Sequence, residues 1–147
     1  MKVGFCTGCF DLLHEGHLYF LEQATDACDY LIVAVNSDAS VRRLKGTTRP
    51  VDNFEERLLN LMARASGVGA FIPFEGDRDR LVMSLRPHVV VMGYDQEPVD
   101  QVVYGLRTTA QKAEAHGMDI VPVVRAKHLK GHSTSLQIAE GLSKTNA

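Results

Sequence analysis

Short apolar runs rich in β-branched residues recur along the chain: "KVGFC" near the start, then "YLIVAV", "AFIPF", "HVVVMG" and "DIVPVV". Their continuous apolar character, without strict alternation, predicts strands covered on both faces, as in a parallel sheet. Between them lie "GHLYFLEQATDA", "NFEERLLNLMARA", "DRLVMSLR" and "VVYGLRTTAQKAEAHG", where apolar positions return at helical spacing. Strand and helix alternate, which predicts an α/β fold: a doubly wound parallel sheet of five strands with helices on both faces. Asp52 with Glu55 reads as a capping box, Gly117 as a helix-ending residue, and residues 133–142 as a last helix. The ending "SKTNA", 143–147, reads as a frayed tail, and no repeat or linker divides the chain.

The 147 residues fit a single domain over 1–147, and 45% hydrophobic with 23% charged residues is ordinary for a globular protein. Lysine and arginine number 16 against 18 aspartate and glutamate, so no global positive field draws in a nucleic-acid backbone. Any anion site must be local. No apolar stretch approaches the roughly 18 residues of a membrane span, and no basic-then-apolar leader precedes the first run. The expectation is a cytoplasmic protein with neither membrane nor nucleic-acid partner. The three cysteines read as reduced thiols.

The chemistry concentrates in "TGCFDLLHEGH", residues 7–17. Cys6, Cys9, His14 and His17 supply ligand types that zinc accepts, but only four residues separate Cys9 from His14, too few for two elements to converge on a tetrahedron. A buried Cys6 side chain would also point into the core, and core or loop thiols are the ordinary reading of Cys6, Cys9 and Cys28. No protein-held metal is expected. The alternative is geometric. A strand ends near Cys6 and a helix starts near Glu15 or Gly16, so this is a βα crossover, where free backbone N–H groups and the helix dipole favour a phosphate. His14 and His17, three apart, would point the same way, and Gly16 leaves room for close approach. With a reference pKa near 6.5, imidazoles can donate to phosphate and take up charge as it develops. Neither G-x-G-x-x-G nor G-x4-G-K-[ST] occurs, so the cradle is of a different kind.

"TGCFDLLHEGH" resembles the signature of the cytidylyltransferase-like nucleotidyltransferases, an aromatic-Asp pair before H-x-G-H. The likeness extends through "VAVNSDASVRRLKGTTRPV", which is similar to the adenylyltransferase domain of bacterial ADP-heptose synthases, and through "EERL", "VVMGYD" and "HSTS". It implies a Rossmann-like fold. It further implies transfer of a nucleoside monophosphate from a nucleoside triphosphate, ATP rather than CTP, to a phosphorylated sugar such as heptose 1-phosphate. Pyrophosphate leaves by in-line attack on the α-phosphate, with Mg2+ accompanying the nucleotide. By the same resemblance His14 and His17 contact the triphosphate and stabilise the transition state, joined in catalysis by Lys45 and Arg57. Thr7, Gly8, Cys9, Phe10 and Gly16 line the nucleotide loop. Gly93 and Asp95 lie by base and ribose, Arg125 precedes the last helix, and Ser133 and Thr134 bind phosphate at its start. Asp11, Asp38, Lys45 and Arg49 face the acceptor, with Lys45 and Arg49 in the loop after the second strand. Family members are commonly dimers, which implies a homodimer.

Each residue has a plainer reading. "RRLKG" can be a solvated charge run, Arg57 a surface salt bridge, Ser133 and Thr134 simple caps, Asp38 the cap of a short helix and Asp95 a turn residue. "MGYDQ" departs from the Lys-Gly-Gly-Asp-Tyr of heptose 1-phosphate adenylyltransferases and looks more like archaeal FAD synthases or glycerol 3-phosphate cytidylyltransferases. The loop from Arg125 to His132 is longer than the family's. A nucleotide-binding sensor without chemistry is the reading from another class.

Overall fold

The computed structural model describes residues 1–75, 78–93, 101–103 and 120–129. Asp95, Gly117, Ser133, Thr134, the last helix and nearly all of the helix expected over 102–117 lie outside the described residues. In chain order the elements are β1 (Val3–Gly8), α1 (Glu15–Asp26), β2 (Tyr30–Asn36), α2 (Asp38–Lys45), α3 (Phe54–Arg64), β3 (Ala70–Phe74), α4 (Arg78–Leu85), β4 (Val89–Met92), β5 (Gln101–Val103) and β6 (Ile120–Arg125).

The strands hydrogen-bond in the order β3-β2-β1-β4-β6-β5. The first five in this order run parallel, as the apolar runs predict. A sixth, β5, adds to β6 antiparallel, so Val102 and Val103, expected to open a helix, are strand instead. Helical spacing and a β-branched pair coexist there, and the otherwise unpaired edge of β6 decides between them. Adjacent residues of β1 bury into opposite layers: Cys6 packs with Leu21, Ala24, Val33 and Leu61 on one side, Phe5 with Ala34, Val82 and Val90 on the other. The first layer is roofed by α1 and α3, the second by α4. A strand sealed on both faces has no polar side to show, which is why these runs do not alternate.

From β1 the chain progresses outward through β2 and β3, then crosses back to β4, so the order reverses between β1 and β4. Their carboxyl ends, at Gly8 and at Met92 and Gly93, flank the crevice where doubly wound folds bind ligands. Helix caps differ from expectation by one residue. Asn53, not Asp52, caps α3 by accepting from the Glu56 N–H, and Ser37, not Asp38, caps α2 by accepting from the Ser40 N–H. Lys45 is the last residue of α2 and not a loop residue. Among the described residues no helix is long and apolar enough to cross a membrane.

Candidate functional site

The loop between β1 and α1 departs from ordinary backbone geometry. Phe10 and Leu12 both sit at φ 53, the left-handed region that bulky side chains rarely adopt. Surrounding contacts over-determine the conformation. The Phe10 ring is buried, meets His17 edge-on at 5.7 Å, and lies where a Cβ on Gly8 would come within 2.6 Å of it. Position 8 must therefore be glycine for Phe10 to close the loop.

Two charged side chains hold this loop from behind. Asp11, 1% exposed, accepts from the Val51 N–H and Arg49 Nε on Oδ2, each at 2.8 Å, and from the Asp52 N–H on Oδ1 at 2.9 Å. Burial by itself would raise its pKa; the two backbone donors and the Arg49 guanidinium outweigh burial and hold the carboxyl below its usual range. Arg57 is 0% exposed, not the surface ion pair that its type and spacing suggest. Its Nη1 donates to the carbonyls of Cys9 and Asn36 at 2.7 Å, its Nε to the Asp52 carbonyl at 3.0 Å, and its Nη2 to Asp38 Oδ1 at 2.7 Å. One guanidinium thus joins the β1 loop, the end of β2, the start of α2 and the approach to α3. Four of its five donors are committed to the protein, so it positions the loop from behind, whereas the resemblance assigns it to catalysis.

At the mouth of the crossover stand the two histidines. His14 is the N-cap of α1: its Nδ1 accepts from the Gly16 N–H at 3.0 Å, while His17 Nδ1 accepts from the His14 N–H at 3.2 Å. The rings stack with centroids 3.8 Å apart and 23° between planes. Because each Nδ1 is used as an acceptor, each neutral ring carries its proton on Nε2, and the reciprocal cap selects the tautomer that donates. His17 is pushed down from 6.5 to about 3, first by burial, then by its neighbours His14 and Lys45. The expectation that both imidazoles take up charge is corrected for His17, which is a neutral N–H donor at physiological pH. Burial strips the charged ring of water, and a second imidazole and two cations beside it add repulsion, which is the physical reason.

The sign of this shift makes a testable statement about stability. Between pH 6.5 and about 3 the unfolded chain binds a proton at His17 that the folded chain refuses, so stability falls as pH drops through that window and is retained above it. The slope reaches about 1.4 kcal/mol per pH unit for one proton. Urea midpoints measured from pH 7 to 4.5 should decline in the wild type and decline less in His17→Asn; parallel curves would refute the depressed pKa. Asp11 adds its own loss as pH falls from the ordinary aspartate value of 3.8 toward its lowered folded-state value.

Lys45 and Arg49 complete the rim, near enough to His17 and Cys9 to lower the pKa of both. Arg49 Nη2 is buried with no hydrogen-bond partner among the described residues, a donor left over once Nε has engaged Asp11. The Cys9 thiol is nonetheless raised, because burial exceeds the pull of Lys45, Arg57 and Arg49. Cys6 is sealed in the core, its thiol raised far above the ordinary range by burial and then by Cys28, and it does not join Cys9 at the loop. Among the described residues no group of three His, Cys, Asp or Glu side chains converges where a metal ion could bind.

Thr7 and Gly8 end β1 beside this mouth, Gly16 lies in the first turn of α1, and Asp38 is spoken for by Arg57. Gly93 follows β4, and Arg125 Nη1 donates to its carbonyl at 2.9 Å. The structure also uses residues that pattern reading passed over. Asn36 is buried, accepts from Arg57 on its carbonyl and from Ser40 Oγ on Oδ1. A polar residue directly after a continuous apolar run was the available signal.

A model of the family described as cytidylyltransferase-like matches residues 5–140. Relatives include "Bifunctional protein HldE" of Acidiphilium cryptum, 43% identical over 93% of this chain, and of Caulobacter vibrioides, 41% identical over 95%. The chain spans about a quarter of the length of each, 26% and 27%. Among solved structures, the lipopolysaccharide core biosynthesis protein from Thermoplasma volcanium aligns with TM-score 0.68 at 28% identity, covering 88% of this chain and 99% of that one. A pantoate-beta-alanine ligase from Francisella tularensis, complexed with beta-gamma ATP and beta-alanine, aligns with TM-score 0.56 at 12% identity over 97% of this chain and 70% of its own, a likeness of fold alone.

Proposed function

Given that this chain belongs to the cytidylyltransferase-like family, we propose that it transfers the adenylyl group of ATP to the phosphate of a sugar phosphate such as heptose 1-phosphate. The reaction class is nucleotidyl transfer. The observation that carries the reading is the capped, stacked pair His14 and His17 at the opening of α1, with Lys45 and Arg49 near enough for their charges to act on His17. Such a mouth offers donors and cations, which is the chemistry of an anion site.

An oxygen of the acceptor phosphate attacks the α-phosphorus, a new P–O bond forms in line with the breaking bond to the β-phosphate, and pyrophosphate departs. The protein supplies alignment and cancellation of charge. The imidazoles of His14 and His17 donate to oxygens of the triphosphate whose charge grows as the bond breaks, His17 doing so as a neutral ring. Arg49, whose Nη2 has no hydrogen-bond partner among the described residues, and Lys45 hold the acceptor phosphate. Magnesium accompanying the nucleotide would supply further cancellation of phosphate charge in this chemistry. The adenylyl preference and the sugar phosphate rest on the resemblance of "VAVNSDASVRRLKGTTRPV" to the adenylyltransferase domain of bacterial ADP-heptose synthases.

Incubating the protein with magnesium, ATP or CTP, and a panel containing heptose 1-phosphate, glycerol 3-phosphate and FMN tests the reading by pyrophosphate release. Release with ATP and a sugar phosphate supports it. Release with CTP and glycerol 3-phosphate, or with ATP and FMN, overturns the substrate assignment. Nucleotide binding with no release from any acceptor would favour a sensor.

A further inference from the structure

We infer that Gln23 is a positioning residue for the nucleotide half of the site, clamping the exit of β6 onto α1. The inference rests on the nucleotidyl-transfer reading above. Gln23 lies in α1 six residues beyond His17, about 9 Å along the helix axis. Its Oε1 accepts from the Lys127 N–H at 2.9 Å and its Nε2 donates to the Lys127 carbonyl at 3.2 Å, across 104 residues of chain. The Nε2 group also reaches the Tyr19 carbonyl at 3.4 Å.

A side-chain amide carries the same donor and acceptor as a peptide unit, so Gln23 pairs with Lys127 as a neighbouring strand would. It reads the backbone at that position, and the lysine side chain remains exposed. On its other side the same exit is tied to the end of β4: the Ala126 N–H donates to the Met92 carbonyl at 2.8 Å, and Arg125 Nη1 donates to the Gly93 carbonyl at 2.9 Å. Residues 125–127 therefore bridge the end of β4 and the helix whose first turn carries the two histidines. That bridge crosses the switch region between β1 and β4, where base and ribose belong. The Gln23 amide is the link on the α1 side, and it sets where β6 delivers the chain relative to His14 and His17.

Gln23→Met keeps length and packing and removes the amide; Gln23→Glu keeps one acceptor oxygen and loses the donor. Each variant is compared with wild type for steady-state kinetics with the nucleotide that wild type uses, for hydrogen exchange of peptides covering 122–129 and 3–8, and for nucleotide dissociation constants by calorimetry. The expected result is a nucleotide KM raised about tenfold, as loss of a paired hydrogen bond produces, with kcat and acceptor KM within about twofold to threefold. Exchange at the Lys127 amide should accelerate in Gln23→Met, which removes its acceptor, and less in Gln23→Glu, while β1 is unchanged in both. Faster exchange with unaltered nucleotide KM would overturn the role, as would a drop in kcat and thermal stability without a selective KM effect, since a merely structural contact predicts that. A wild type that binds nucleotide but releases no pyrophosphate overturns the transfer reading and leaves the dissociation constants to decide this one. A wild type that binds neither ATP nor CTP overturns both.

Discussion

Replacing His17 with alanine is expected to reduce turnover by about a hundredfold or more, the loss that follows removal of one preorganised transition-state donor. The side chain has two separable duties, because Nδ1 accepts from the His14 N–H and Nε2 is left to donate. Alanine removes both, and its effect would mix lost chemistry with a loosened helix start worth about 1 kcal/mol. Asparagine and glutamine separate them. The Asn oxygen can take the place of Nδ1, preserving the reciprocal cap while abolishing the outward donor; the Gln amide can place an N–H near the position of Nε2. Pyrophosphate release should therefore fall as far in His17→Asn as in His17→Ala, at nearly wild-type stability, and recover in part in His17→Gln. Near-normal turnover in His17→Asn would mean that the histidine serves only the helix.

Arg57→Met is expected to destabilise the fold by about 3 to 5 kcal/mol, the range for breaking a buried charge network by deleting one partner. Three carbonyls, of Cys9, Asn36 and Asp52, would lose a donor deep in the molecule, and each unsatisfied buried group costs about 1 to 3 kcal/mol. Arg57→Lys should rescue little, since a single ammonium cannot span four acceptors on four segments. Asp38→Asn should be much milder: that carboxylate is 35% exposed and water can replace the guanidinium. Urea unfolding of the three variants beside the pyrophosphate assay decides between two roles. If Arg57→Met were as stable as wild type and inactive, the side chain would be acting on substrate rather than holding the loop.

The parallel sheet and its helices were legible because their causes are local and repeated. Apolar periodicity reports which face of an element meets the core, and "YLIVAV" and "AFIPF" are strands in the structure with nearly the bounds their letters suggest. The H-x-G-H stretch was legible for a similar reason, since three-residue spacing at a helix start determines that both rings share a face. Caps shifted by one residue where two competent side chains adjoin. Asn53 caps α3 next to Asp52, whose own N–H is drawn to Asp11 from 41 residues away.

What the sequence by itself determined is the five parallel strands, their burial on both faces, and the crossover that carries the candidate chemistry. Only the tertiary structure decided that His17 is neutral, that Arg57 and Asp11 are committed to backbone groups, and that Gln23 meets Lys127. Those facts depend on burial and, beyond neighbours such as His14 and Asp52, on partners 19 to 104 residues distant. A residue type states what a side chain can donate or accept; the convergence of separate elements selects the group that receives it, and exclusion of water sets how strongly it is held.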